Sequence, residues 1–179
     1  NYGTQNNGPR IRKVDTNGQM TTIAGAGTTF VEGGQAMNVK LSDYMTGYGV
    51  PRMAVDGAGN LYYARYANPT GGPGYGNDSV CRISPSGVVT TVAGGGTVLP
   101  GDTGAIVATT AKFYVISTYG LSITVDSAGN LYIFDITTNP ANTGGANSAD
   151  GPRIRKRQDA NGTYTCKITN SGGVSVISN

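Results

Sequence analysis

The sequence contains no histidine and no tryptophan, and only two cysteines, Cys81 and Cys166. Without histidine there is no Ser/His/Asp or Cys/His nucleophilic machinery, and the commonest metal ligand is missing. No C-x-x-C pair occurs, so the usual zinc sets are absent. Two cysteines are also too few for a scaffold built on disulfides. Charge is scarce, at 13% of residues where about a quarter is usual. Thirteen Lys and Arg against ten Asp and Glu give a net charge of +3, with no run of five or six like charges. A nucleic-acid interface normally needs a basic stripe, so none is expected. Leu occurs only five times in 179 residues. No apolar run approaches the ~20 residues of a spanning helix. A helical bundle and a helical membrane protein are both excluded.

What is present is strand chemistry. Val, Ile, Thr and Tyr make up a third of the chain, and β-branched and aromatic side chains suit a pleated, half-buried surface. Gly, Thr, Asn and Ser supply 43%. The length suffices for one domain with a core. The chain starts at Asn1 with neither a basic n-region nor an apolar h-region, which reads as a processed product or a fragment. Low charge with abundant Thr, Asn, Gly and Tyr matches extracellular or cell-surface proteins. Asn77-Asp-Ser79 and Asn161-Gly-Thr163 fit the N-glycosylation pattern.

The dominant signal is a long internal repeat. Val55-Asp-Gly-Ala-Gly-Asn-Leu-Tyr62 returns as Val125-Asp-Ser-Ala-Gly-Asn-Leu-Tyr132, and Thr21-Thr-Ile-Ala-Gly25 as Thr90-Thr-Val-Ala-Gly94. Gly8-Pro-Arg-Ile-Arg-Lys13 returns as Gly151-Pro-Arg-Ile-Arg-Lys156, with a weaker copy at Val80-Cys-Arg-Ile-Ser84. The segments 53–56, 60–64, 80–84 and 88–93 read as four successive strands. Asp-x-Ala-Gly-Asn is hairpin chemistry, because Asp bonds the backbone two residues on and Gly supplies positive φ. Ser84-Pro-Ser-Gly87 is a second turn of the same kind. Four antiparallel strands in sequence order form a meander, the unit of a β-propeller blade.

These motifs together, Val-Asp-x-x-Gly-Asn-Leu-Tyr, Arg-Ile-Arg-Lys-Val and Thr-Thr-Ile/Val-Ala-Gly, resemble the NHL-repeat β-propeller family in its secreted bacterial form. Gly33-Gly-Gln-Ala36 leading to Lys40-Leu41, and Gly101-Asp-Thr-Gly-Ala105 leading to Ala111-Lys-Phe113, are similar to its inter-blade loops. The resemblance implies an all-β array of four-stranded blades. It runs as an N-terminal arm at 1–7, the outer half of a blade at 8–29, a complete blade at 50–96 and another at 119–179 with a long insertion. In the last blade two segments compete for the third strand, 153–157 and Thr165-Cys-Lys-Ile-Thr169. The second ends the chain where a blade ends, and the spacing favours it.

About two and a half blades cannot close a ring, since propellers carry about four to eight. Three outcomes follow: a fragment of a longer propeller, a ring of several copies, or end blades completed by the next subunit to give a filament. Among the acids, Asp15, Asp56 and Asp126 fall at turns and read as structural. Asp102, in a Gly-rich loop, is a weak calcium candidate. The Arg-Ile-Arg-Lys segments recur at a fixed blade position and read as strands more than as a basic face. Tyr62, Tyr63 and Tyr132 lie on strands. Tyr44, Tyr48, Tyr66, Tyr75 and Tyr119 lie in or beside loops and are the candidate interface or ligand residues, because Tyr offers area with a polar tip. Cys81 and Cys166 are expected as buried thiols or an inter-subunit bond. The expectation is a non-enzymatic structural protein with other copies of itself as partner, and no cofactor, metal, nucleic acid or membrane span. The alternative is a piece of a closed propeller that binds protein or glycan.

Overall fold

The computed structural model describes residues 8–42, 52–67, 78–98, 106–113, 121–136, 152–157 and 164–165. Ten strands and two single 3-10 turns account for the regular structure of these residues. Strands β1 (Ile11–Val14) and β2 (Met20–Ala24) form a two-stranded sheet. Strands β3 (Met53–Val55), β4 (Leu61–Arg65), β5 (Ser79–Ile83) and β6 (Val89–Gly94) form a four-stranded meander. A third sheet orders β7 (Ser122–Val125), β8 (Leu131–Ile136), β9 (Pro152–Arg157) and β10 (Tyr164–Thr165) in the same way. All pairs are antiparallel. The all-β expectation and the order of the central meander are therefore met.

The third sheet corrects one expectation. Its third strand is Pro152–Arg157, which pairs with β8 from Ile136↔Pro152 to Leu131↔Arg157. Tyr164–Thr165 is the fourth strand and pairs with β9. Six consecutive pairs satisfy the β8 backbone, and the period-2 pattern of Arg-Ile-Arg supplies the strand that does so.

Four hairpin turns share one geometry. In each, a turn closed by a glycine N–H donating to the carbonyl three residues back ends on that glycine in the left-handed region: Gly18, Gly59, Gly87 and Gly129, with φ between 79° and 83°. This is the three-residue hairpin loop with a one-residue bulge, where only Gly avoids steric cost. Asp15, Asp56 and Asp126 each place Oδ1 so that it accepts two backbone amides of the loop, at 2.8–3.0 Å. Ser84 does the same more weakly through Oγ, which accepts from Val88 N at 3.1 Å.

The three sheets stack in chain order through two cores. Ile11 and Ala24 of the first sheet meet Tyr63, Cys81, Ile83 and Val89 of the second. The opposite face of the second sheet, with Tyr62, Ala64, Val80 and Val92, meets Leu121, Ile123, Leu131 and Ile133 of the third. Strand β4 of the central sheet is thus covered on both faces, which is why Tyr62 and Tyr63 are both buried though they point oppositely. Below, the face of a sheet turned toward the chain start is its leading face and the other its trailing face.

Two equivalent linkers seal these cores. Each makes a 3-10 turn, Ala36–Asn38 or Ala108–Thr110, then delivers a large apolar side chain, Leu41 or Phe113. Each passes so close to the preceding strand end that a Cβ on Gly25 would collide with Pro9 O and Leu41. One on Gly94 would collide with Asp78 O and the Phe113 ring.

Candidate assembly surface

The first sheet reproduces the outer half of the second, residue by residue, at an offset of sixty-nine. Ile11↔Ala24 corresponds to Val80↔Ala93, and Arg12↔Thr22 to Cys81↔Thr91. Both hairpins carry their register shift at the same point, between Ile11 and Arg12 and between Val80 and Cys81. A bulge conserved in place marks a shared design. In the second sheet, the partner of β5 on the inner side is β4. Among the described residues, no strand pairs with the corresponding edge of β1.

The third sheet shows the same relation through β9. Its Pro-Arg-Ile-Arg-Lys run is the run that opens β1, and β9 is paired on both edges, by β8 and β10. Arg155 lies opposite Ile133, as Cys81 lies opposite Tyr63, and Arg157 lies opposite Leu131, as Ile83 lies opposite Leu61. Arg12 and Val14 are the matching positions of β1. The basic residues of this motif therefore do not prevent pairing on the inner edge.

Among the described residues, apolar side chains stand exposed at the ends of the stack. On the leading face of β3, Met53 is 53% exposed, whereas its counterpart Ile123 in the third sheet is 8% exposed. Val55 is exposed too, while its counterpart Val125 packs against a core. On the leading face of the first sheet, Val14 and Met20 are 57% and 62% exposed, and their counterparts Ile83 and Val89 are 6% and 0%. At the far end, Phe134 on the trailing side of the third sheet is exposed where Ala64 in the second is buried. Sheets of one pattern are covered inside the stack and bare at its ends.

Of the loop tyrosines, Tyr66 lies just after β4, half-buried against the core between the second and third sheets. Its hydroxyl accepts from Leu121 N at 3.3 Å, and its carbonyl accepts from Ser42 Oγ at 3.1 Å. Burial raises its pKa, the largest of several causes. Tyr44, Tyr48, Tyr75 and Tyr119 lie outside the described residues, as do Asp102, Cys166, Asn77 and Asn161.

The polar groups that are described serve the fold. Asp126 Oδ2 accepts from Asn130 Nδ2 at 2.8 Å and from the Tyr132 hydroxyl at 3.1 Å; Asp56 has the same pair in Asn60 and Tyr62. The Asn130 side chain is the strongest influence holding Asp126 below the ordinary Asp pKa. At Asp56 partial desolvation pushes upward, but the Asn60, Tyr62 and Ala58 donors together outweigh it. Cys81 is a buried thiol whose pKa burial pushes up. Its Sγ lies 3.8 Å from Ser79 Oγ and 3.9 Å from Thr91 Oγ1. Glu32 clamps the first linker to β6, accepting from Thr91 N and Thr91 Oγ1, both at 2.8 Å. Arg65 stacks 4.0 Å over Phe30. Among the described residues, no group of three or more Cys, Asp or Glu is placed to hold a metal ion, and no helix is long and apolar enough to cross a membrane.

Sequence reading did not single out Met53, Val55, Val14 or Met20. Nothing in the repeat marks them, since 53–55 and 123–125 alternate alike and differ only in what the fold places over them.

A scan against protein-family models found no match, and neither did searches of curated proteins and of solved structures. The likeness to NHL repeats rests on the motifs quoted above.

Proposed function

We propose that this chain is a non-catalytic, extracellular structural protein that assembles with copies of itself. In this reading its sheets are NHL-like propeller blades, and the incomplete first blade is completed by a neighbouring subunit, giving a filament. One observation carries the proposal: β1 and β2 match the outer half of a four-stranded sheet down to the bulge, and no described strand fills the inner half. An unpaired edge beside exposed apolar side chains favours association. Phe134, exposed on the trailing side of the third sheet, marks an end different from the leading one, the condition for head-to-tail growth.

The test is negative-stain electron microscopy of native material together with its intact mass. Regular fibres built from an 18.3 kDa chain support the proposal. An intact mass well above this, with discrete ring-shaped particles, would instead mark the chain as part of a closed propeller that acts as a protein- or glycan-binding module.

A further inference from the structure

The outer edge of the second sheet is sealed by the linker that precedes it. This segment runs antiparallel along β6. Gly33 N donates to Val89 O, Val89 N to Gly34 O and Ala36 N to Gly87 O, at 2.7–2.9 Å. Glu32 ends the ladder, with one carboxylate oxygen on Thr91 N and the other on Thr91 Oγ1. Strand β2 repeats β6 one sheet earlier, with Gly18, Met20 and Thr22 at the places of Gly87, Val89 and Thr91. Asp15 N donates to Gln19 O as Ser84 N donates to Val88 O. Groups alternate along a strand, so Met20 directs its N–H and C=O outward, as Val89 does. Among the described residues, nothing pairs with Gly18, Met20 or Thr22 from that side.

We infer that the outer edge of β2 binds an extended acidic peptide segment of a partner protein, by strand addition, with a glutamate seated on Thr22 and Arg12. Strand addition draws affinity from main-chain hydrogen bonds and specificity from the side chains beside them. The linker on β6 is the template. Its glutamate is followed by Gly33 at φ 74°, a conformation that calls for glycine. The partner segment therefore carries Glu-Gly where the linker does.

The preference for an acid comes from a difference between the two sheets. The place of Cys81 in the second sheet is held by Arg12 in the first. Arg12 Nη1 donates to Thr22 Oγ1 at 3.1 Å. The Thr22 hydroxyl accepts that bond and keeps its own hydrogen for a carboxylate, just as Thr91 gives its hydrogen to Glu32. Thr22 N–H, Thr22 O–H and the Arg12 guanidinium thus surround the place that Glu32 takes one sheet later. Hydrogen bonds between a guanidinium or amide and a carboxylate are charge-assisted and strong. The self-assembly reading uses the opposite edge of this sheet, along β1, so the two inferences stand or fall separately.

The probe is a peptide with blocked ends and the sequence of residues 31–37, Val-Glu-Gly-Gly-Gln-Ala-Met. It is added at millimolar concentration to the dilute full chain, and hydrogen exchange reads single amides. The Met20 and Thr22 amides should exchange freely without peptide and become protected with it, while Val89 and Thr91 stay as they were. A peptide carrying Glu32→Gln should need about tenfold more for the same protection, and so should the intact peptide on the Arg12→Gln chain. Arg12 is exposed, so that variant should melt with the wild type; the peptide substitution decides the matter if it does not. Absence of protection would overturn the inference, as would protection that neither substitution weakens. Met20 and Thr22 already protected before peptide is added would overturn it too, because the edge would then be covered. Lost protection at Val89 or Thr91 would mean that the peptide displaces the linker from β6, which contradicts docking on β2.

Discussion

Asp56 and Asp126 each collect four donors, and the result is a pKa held below the ordinary value of 3.8 at both sites. A carboxylate favoured by the fold contributes stability above its unfolded pKa, and that contribution is lost as pH falls through the lowered folded value. The melting temperature should therefore be level between pH 7 and about 5 and decline below about pH 4. The Asp56→Asn, Asp126→Asn double variant should melt a few degrees lower at pH 7 and show a shallower acid decline. Parallel curves for variant and wild type would contradict this. These turns were fully legible in the sequence, because Asp-x-Ala-Gly-Asn specifies both the side-chain acceptor and the left-handed glycine. The second kind of glycine was not. Gly94 has φ 75° and a Cβ there would meet Asp78 O and Phe113, whereas Gly57 opens on empty space. Gly94→Ala should cost more than about 1 kcal/mol, and Gly57→Ala should stay within about 0.5 kcal/mol, both read by urea denaturation. Composition alone makes the two look alike.

Among the elements, the linkers do more than connect. Phe113 is fully buried between the second and third sheets, and Leu41 holds the equivalent place between the first and second. Phe113→Ala should destabilise by about 3–5 kcal/mol and Leu41→Ala by about 2–5 kcal/mol. A loss under 1 kcal/mol at either site would show that the linker is not part of the core. The sequence marks both linkers as similar to one kind of inter-blade loop, through Gly33–Ala36 before Leu41 and Gly101–Ala105 before Phe113. In the fold, Ala36 corresponds to Ala108, each opening a 3-10 turn. The meander 53–94 could be read because each strand is bounded by a turn with its own chemistry. The third strand of the last sheet could not. Both 153–157 and 165–169 alternate acceptably, and the choice falls to pairing with β8, a non-local ladder that neither segment encodes by itself.

At the scale of the whole molecule, strand counting leads to the expectation of an unfinished array, and the described residues form antiparallel sheets of two, four and four strands. It did not locate the exposed surface. Met53 and Val55 have the same alternation as Ile123 and Val125. Only the stack reveals that one pair is covered and the other is not. The central claim is that this deficit is met between copies. Sedimentation velocity of the wild-type chain across a hundredfold range of concentration, about 1 to 100 μM, tests it most directly. The account predicts species that grow in mass with concentration in steps of 18.3 kDa. A single monomeric boundary at every concentration, with a cooperative melt that does not depend on concentration, would contradict it.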